Sequence, residues 1–191
     1  MVKNYQQVIA SFEKRDSKIK GHFEYLPDLI KAFPWSVSVG YLFSRVEDAK
    51  RTTIYLGLAK CHNVDSIVAF NFVKDDYLSR KRFQQIFNII FNEYIPTDLL
   101  KNLKQAENVR DSVAHGKVWD IADARKAIVD ILDFAEGFNK LVQGLAGIQP
   151  FNNDLRGFKG RKKSLPSDTS GWVVKGISSA ADEVKLKNDQ F

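Results

Sequence analysis

The chain has 191 residues and a single cysteine, Cys61. Its length is typical of one compact domain, and its hydrophobic fraction of 44% and charged fraction of 27% are close to globular averages. One cysteine excludes a disulfide framework, and no apolar run approaches the roughly 18–20 residues that a membrane-spanning helix needs. Acidic residues close to the N-terminus, Glu13 and Asp16, argue against a secretory signal. We therefore expect a soluble protein of the cytoplasm.

The formal net charge is +6, from 29 Lys and Arg against 23 Asp and Glu. Residues 151–191 hold eight of these basic residues and five of the acidic ones, so this short segment is more basic per residue than residues 1–150. It contains one basic cluster without an intervening acid, formed by Arg156, Lys159, Arg161, Lys162 and Lys163. Such a cluster attracts a phosphate backbone, and we interpret it as a candidate RNA-binding segment. The alternative is a solvated loop.

Apolar residues recur at three- and four-residue spacing through residues 1–150, which predicts α-helices in this order. The first helix covers 4–20, a short helix or turn follows around Pro27 and Pro34, and a long helix covers 36–60. Capping signals then place helices at 66–77 after Asp65, at 81–94 after Ser79, and at 97–115 before Gly116. Apolar residues at helical spacing predict a last long helix at 119–141. The prediction is an all-α bundle of five to six helices.

The composition changes near Phe138, since five of the eleven glycines fall within the 24 residues 137–160. We therefore expect residues 151–191 to form a C-terminal extension, either an arm or a short hairpin. Residues 172–174 are flanked by Gly171 and Gly176 and could form one short strand. Trp172 could stack on a nucleic-acid base, but packing on the bundle is favoured.

The helix at 97–115 carries the most informative pattern. Five of its apolar residues form one stripe on a helical wheel: Leu99, Leu103, Ala106, Val113 and Ala114. Arg110 falls in the middle of that stripe. Because an unpaired buried guanidinium is costly, Arg110 must leave the core, pair with a buried acid, or face a cleft or a subunit interface.

The segment 107–116, ENVRDSVAHG, resembles the signature of the HEPN superfamily of small helical-bundle proteins. Arg110 matches the family's arginine, Asp111 its polar residue, and His115 its histidine at the four-residue spacing. The resemblance implies a HEPN-like bundle over residues 1–150 and a composite site shared by two copies of a homodimer. It also implies metal-independent RNA cleavage without a cofactor, in a toxin or defence protein, with RNA and a cognate antitoxin protein as partners.

These residue types suit that chemistry. RNA can be cut without a metal when its 2′-hydroxyl attacks the adjacent phosphate. An imidazole, with an ordinary pKa of about 6.5, can accept that proton or protonate the leaving oxygen. A guanidinium stabilises the charge that builds on the phosphate. We therefore assign Arg110 and His115 as catalytic residues, with Asp111 orienting one of them.

Two other interpretations stay open. The chain could be a non-catalytic HEPN-type module that binds nucleotide, RNA or protein. It could also be a structural bundle in which Glu107 or Asp111 pairs with Arg110 while His115 caps the helix. A second match to the arginine–histidine pattern, from Arg15 to His22, lies in a lysine-rich stretch that we expect to be solvated and without function.

Other types of site lack sequence support. Cys61 and His62 have no partners for a zinc site, and we expect Cys61 in the core and His62 at the surface. No glycine-rich phosphate-binding motif occurs. Four aspartates of the helix at 119–141 are expected on a solvated face rather than around a metal ion: Asp120, Asp123, Asp130 and Asp133.

Overall fold

The structure is a computed structural model that describes residues 4–75, 78–153 and 163–188. All regular secondary structure in these ranges is helical, which confirms the all-α class. The described residues form nine helices: α1 (Tyr5–Glu13), α2 (Ser17–His22), α3 (Leu26–Ala32), α4 (Trp35–Cys61), α5 (Ser66–Asp75), α6 (Arg80–Phe91), α7 (Thr97–Ala114), α8 (Ile121–Ala146) and α9 (Ser167–Asn188). None of these helices is both long enough and apolar enough to cross a membrane.

The number of helices corrects the predicted five to six. The first predicted helix is divided at Asp16, whose backbone is extended and whose carboxylate accepts hydrogen bonds from the amides of Lys18 and Ile19. An aspartate that caps a new helix in this way competes with continuation of the preceding one. The segment around Pro27 forms a separate helix, α3, which begins at Leu26 and has Pro27 in its first turn.

The second correction concerns the predicted strand at residues 172–174, which lies inside α9. Four buried residues of α9 recur at helical spacing: Ser170, Val174, Ile177 and Ala181. The helix follows Pro166, whose carbonyl accepts a hydrogen bond from the amide of Ser170. The glycines and valines that favoured a strand are overridden because this stripe packs against α5 and α6.

The chain folds into two compact units. Among the described residues, unit 1 comprises 4–49, 96–141 and 151–153, and unit 2 comprises 50–75, 78–95, 142–150 and 163–188. Residues of α4 and α8 therefore contribute to both units. The predicted boundary at Pro150 rests on composition, which is a different criterion, and it stays a prediction.

An aromatic cluster forms part of the core of unit 1. Phe134 and Phe138 stack with ring centroids 5.3 Å apart, and Phe151 meets both rings edge-on. The side chain of Asn139 accepts from the amide of Phe151 at 2.8 Å and donates to its carbonyl. These two bonds replace the backbone partners that a residue outside a helix lacks, so they hold Phe151 in the core.

Candidate functional site

Helix α7 ends as the sequence predicts. Gly116 has a φ of +63°, the left-handed conformation that a residue without Cβ adopts readily. The amide of Gly116 donates to the carbonyl of Val113, and the amide of Lys117 donates to the carbonyl of Ser112 at 2.8 Å. This pair of bonds is the Schellman motif, and it places His115 at the C-cap position.

Arg110 lies at the edge of the core of unit 1. Its stripe neighbours Leu103 and Ala106 are buried, whereas the side chain of Arg110 is 42% exposed. The guanidinium carbon lies 5.0 Å from the centroid of the Phe43 ring, and Phe43 itself is 4% exposed. The guanidinium of Arg110 therefore lies over a buried aromatic ring, and this cation–π contact stabilises the arrangement.

The ion-pair partner of Arg110 is Asp111, with Nε 2.8 Å from Oδ1. The Asp111 side chain is 56% exposed, so no buried acid neutralises the arginine in the part of the chain that the structure describes. The Nε–H does not point at this oxygen with hydrogen-bond geometry. Within the described residues no hydrogen bond reaches the two Nη nitrogens, so the outer donors of the guanidinium are available to an anion.

His115 is exposed, and its backbone amide donates to the carbonyl of Asp111 at 3.0 Å. Across residues 4–75, 78–153 and 163–188, no hydrogen bond or ion pair reaches its imidazole. His115 lies five positions after Arg110, which on a helix corresponds to about 7.5 Å along the axis and roughly 140° around it. Among the described residues no hydrogen bond joins these two side chains, and Asp111 pairs with Arg110 rather than with the imidazole.

The structure describes only the last residue of the predicted RNA-binding segment. Arg156, Lys159, Arg161 and Lys162 lie outside the described residues. Lys163 is described, and it is exposed in the segment that leads into α9. The assignment of this segment to RNA binding stays a prediction.

The second arginine–histidine match has a different environment from the one expected. Arg15 is not solvated: its side chain is 13% exposed and pairs with Glu136 at 2.7 Å and with Asp133 at 2.5 Å. Burial alone would lower the pKa of Arg15, but the hydrogen bonds and charges of these carboxylates raise it above its ordinary value. Hydrogen bonds from Lys140 and Arg15 lower the pKa of Glu136. Arg15 is therefore a structural ion-pair residue.

The histidine of this second match, His22, is also buried and has both ring nitrogens engaged by one residue. Its Nδ1 accepts from the Arg45 guanidinium at 3.3 Å, so its Nε2–H donates to the Arg45 carbonyl at 3.1 Å. Phe23 and Phe151 meet the imidazole edge-on. Burial lowers the pKa of His22 to about 4. The ring is thus neutral and part of the core.

A polar cleft of about 270 Å³ lies between α7 and α8. Lys126 reaches across it, with Nζ 2.9 Å from the side-chain oxygen of Gln105 and also bonded to Asp130. Asp130 is buried and Asp133 is paired with Arg15, which corrects the expectation of a solvated face, although Asp120 and Asp123 are exposed. In the described ranges no three His, Cys, Asp or Glu side chains are grouped to hold a metal ion.

Three single-residue expectations in unit 2 are wrong. Cys61 is exposed rather than in the core. His62 is half-buried, and its Nε2 lies 3.0 Å from the carbonyl of Ile90. Trp172 does not pack on the helices, because 75% of it is exposed.

Comparison of the chain with family models, with curated proteins and with solved structures gives no match. The all-helical fold is compatible with the HEPN resemblance, as it is with many helical bundles. The HEPN assignment therefore stays a prediction that rests on the residues of α7.

The environments of the two arginines predict different effects on stability. Arg15→Ala leaves two partly buried carboxylates without their cation, and we expect a loss of about 2–3 kcal/mol in the free energy of unfolding. Arg110→Ala removes an exposed ion pair and a cation–π contact at the edge of the core, so we expect about 1 kcal/mol or less. Urea denaturation of the two variants measures both values. Equal losses would make Arg110 a structural residue like Arg15.

The buried His22 predicts a loss of stability in mild acid. Between its ordinary pKa of about 6.5 in the unfolded chain and its folded value of about 4, only the unfolded state binds a proton. Stability therefore falls as the pH falls through this range, by about 2 kcal/mol between pH 7.5 and pH 5. His22→Gln keeps a donor and an acceptor but cannot titrate. Urea unfolding at both pH values should show a smaller loss for the variant, and identical losses would contradict the prediction.

Proposed function

We propose that this protein is a metal-independent endoribonuclease whose reaction depends on Arg110 and His115. The observation that carries the proposal is the state of Arg110, which lies on an apolar helix stripe with no buried acid among the described residues to neutralise it. A cation placed at such a position and left with unbonded outer donors is suited to receive an anion. An exposed imidazole at the end of the same helix adds a group that can transfer a proton near neutral pH.

The proposed reaction is an internal phosphoryl transfer. The 2′-oxygen of one nucleotide forms a bond to the adjacent phosphorus, and the bond from phosphorus to the 5′-oxygen of the next nucleotide breaks. His115 accepts the 2′-hydroxyl proton or protonates the departing 5′-oxygen. Arg110 donates hydrogen bonds to the phosphate oxygens as their charge grows in the transition state. The products are a 2′,3′-cyclic phosphate and a 5′-hydroxyl.

The proposal includes a homodimer, because Arg110 and His115 of one chain lie on different sides of α7. A two-fold interface would bring two copies of each residue to one place. The guanidinium of one copy would then lie beside the imidazole of the other, so that each composite site uses one Arg110 and one His115. A toxin or defence role, with a cognate antitoxin as a protein partner, follows from the resemblance to the HEPN superfamily and is part of the same proposal.

The first experiment is the incubation of purified protein with labelled RNA in EDTA. We expect cleavage that leaves 2′,3′-cyclic phosphate ends, and we expect His115→Ala to lower its rate by at least about a hundredfold. Arg110→Ala should lower the rate to a similar degree, through the loss of phosphate stabilisation. Lys117→Ala serves as the control, because this exposed residue lies two positions beyond His115 and its backbone bond to Ser112 is kept.

The outcomes separate enzyme from binding module. Cleavage that survives His115→Ala, or that occurs only with added metal, would contradict the proposal. RNA binding without cleavage would favour the non-catalytic module.

The composite site makes a second prediction. Inactive Arg110→Ala and His115→Ala proteins, when mixed so that subunits exchange, should recover part of the cleavage, because a mixed dimer keeps one intact copy of each residue. Neither variant should recover activity alone. Light scattering should give the mass of a dimer at micromolar concentration. A monomer that cleaves RNA would contradict the composite site, but it would not contradict the catalytic roles of Arg110 and His115.

A further inference from the structure

The positive charge of the described chain is concentrated in unit 2. The described residues of unit 2 include eleven Lys and Arg against six Asp and Glu, a net charge of +5. Those of unit 1 include thirteen against fourteen, a net charge of −1. A polyanion is therefore attracted to unit 2 rather than to the unit that contains α7. Net charge alone gives no position, which must come from individual side chains.

Helix α9 places an exposed aromatic ring beside a cation. Trp172 is 75% exposed, and Lys175, three residues further along α9, is also exposed. Side chains three residues apart on a helix are neighbours, with Cβ atoms about 5–6 Å apart. Lys175 has no ion-pair partner within the described residues, so its charge is not neutralised there. Lys74 and Lys163 are two further exposed lysines of unit 2 that have no ion-pair partner within the described residues.

A cleft of about 430 Å³ between α5 and α9 adjoins this pair. Val68 and Phe72 of α5 and Val174 of α9 give it apolar walls, and Lys175 lines it as well. Arg82, at the same cleft, is held by Asp182 at 2.6 Å and by Ser178 at 2.8 Å. The cleft therefore combines apolar walls with two cations, one of them held by an acid and the other open to an anionic ligand.

We propose that this surface of unit 2 binds single-stranded RNA, with a base stacked on Trp172 and a phosphate beside Lys175. The inference deepens the proposed function, because it rests on RNA as the substrate, but it assigns binding to residues outside α7. Stacking accepts any base, since every base has a π-face, and it requires that the base be unpaired. A protein partner would use the aromatic ring equally well. The unneutralised lysines and the net charge of +5 favour RNA over a protein partner, because RNA carries a phosphate on every nucleotide.

The test measures binding separately from cleavage. Full-length protein with His115→Ala, which should not cut RNA, is titrated into a fluorescein-labelled 12-nucleotide uridine RNA and followed by anisotropy. Adding Trp172→Ala should weaken binding about tenfold or more, whereas Trp172→Phe should keep most of the affinity because it keeps a ring. Adding Lys175→Ala should weaken binding and lower the slope of log Kd against log salt by about 0.7, the value for one phosphate contact on a single strand.

Tyr94→Ala is the matched control, because Tyr94 is also 75% exposed and also belongs to unit 2. It should bind the RNA like the parent. A blunt double-stranded RNA of the same length should compete poorly. Circular dichroism melts check that each variant is folded.

Several results would overturn the inference. These are unchanged binding by Trp172→Ala, an equal loss with Tyr94→Ala, equal affinity for double-stranded RNA, or no binding of the uridine RNA at all. Loss of self-association by Trp172→Ala without loss of RNA binding would identify a protein interface instead. If Trp172-dependent binding is found but the parent chain with His115 intact does not cleave, the ribonuclease proposal fails and the binding site remains. If RNA is cleaved but its binding does not depend on Trp172, the binding inference fails and the ribonuclease proposal remains.

Discussion

A guanidinium that is removed from water must pair with anions, or else lie at the edge of the core, where part of it stays in contact with solvent. This constraint explains the surroundings of two arginines of unit 1. Arg15 meets it with two carboxylates of α8, which tie the junction of α1 and α2 to that helix. Arg110 meets it with the face of Phe43 and with solvent. The first arginine is satisfied by the protein itself. The second keeps donors that no described residue bonds, and that difference is the reason for assigning chemistry to α7.

The two proposals assign different tasks to the two units. Unit 1 holds the arginine and histidine proposed for catalysis but has almost no net charge among its described residues, whereas unit 2 holds the positive charge and the exposed Trp172. Long-range attraction of a polyanion and local stabilisation of one phosphate are separate physical requirements. A chain can meet them with different residues, so neither proposal depends on Arg110 supplying the affinity for RNA.

Features that depend on local backbone chemistry could be predicted from the sequence. Asp65 and Ser79 cap α5 and α6, and Gly116 ends α7, because each role needs only the residue and its near neighbours. Helix α9 could not be predicted in this way, since its glycines and valines suggest a strand and its buried stripe needs α5 and α6 to form against. The end of α1 before Asp16 could not be predicted either, because an aspartate within a helical pattern can either cap a new helix or face solvent.

The sequence by itself determined that Arg110 stands on an apolar stripe of a helix that ends at Gly116, since helical spacing and glycine's left-handed backbone require only local information. It could not determine the surroundings of either arginine. The side chain of Arg15 is 13% exposed and that of Arg110 is 42% exposed, because burial depends on which helices pack alongside. Only the tertiary structure brought Asp133 and Glu136 to Arg15, and Phe43 rather than a buried carboxylate to Arg110.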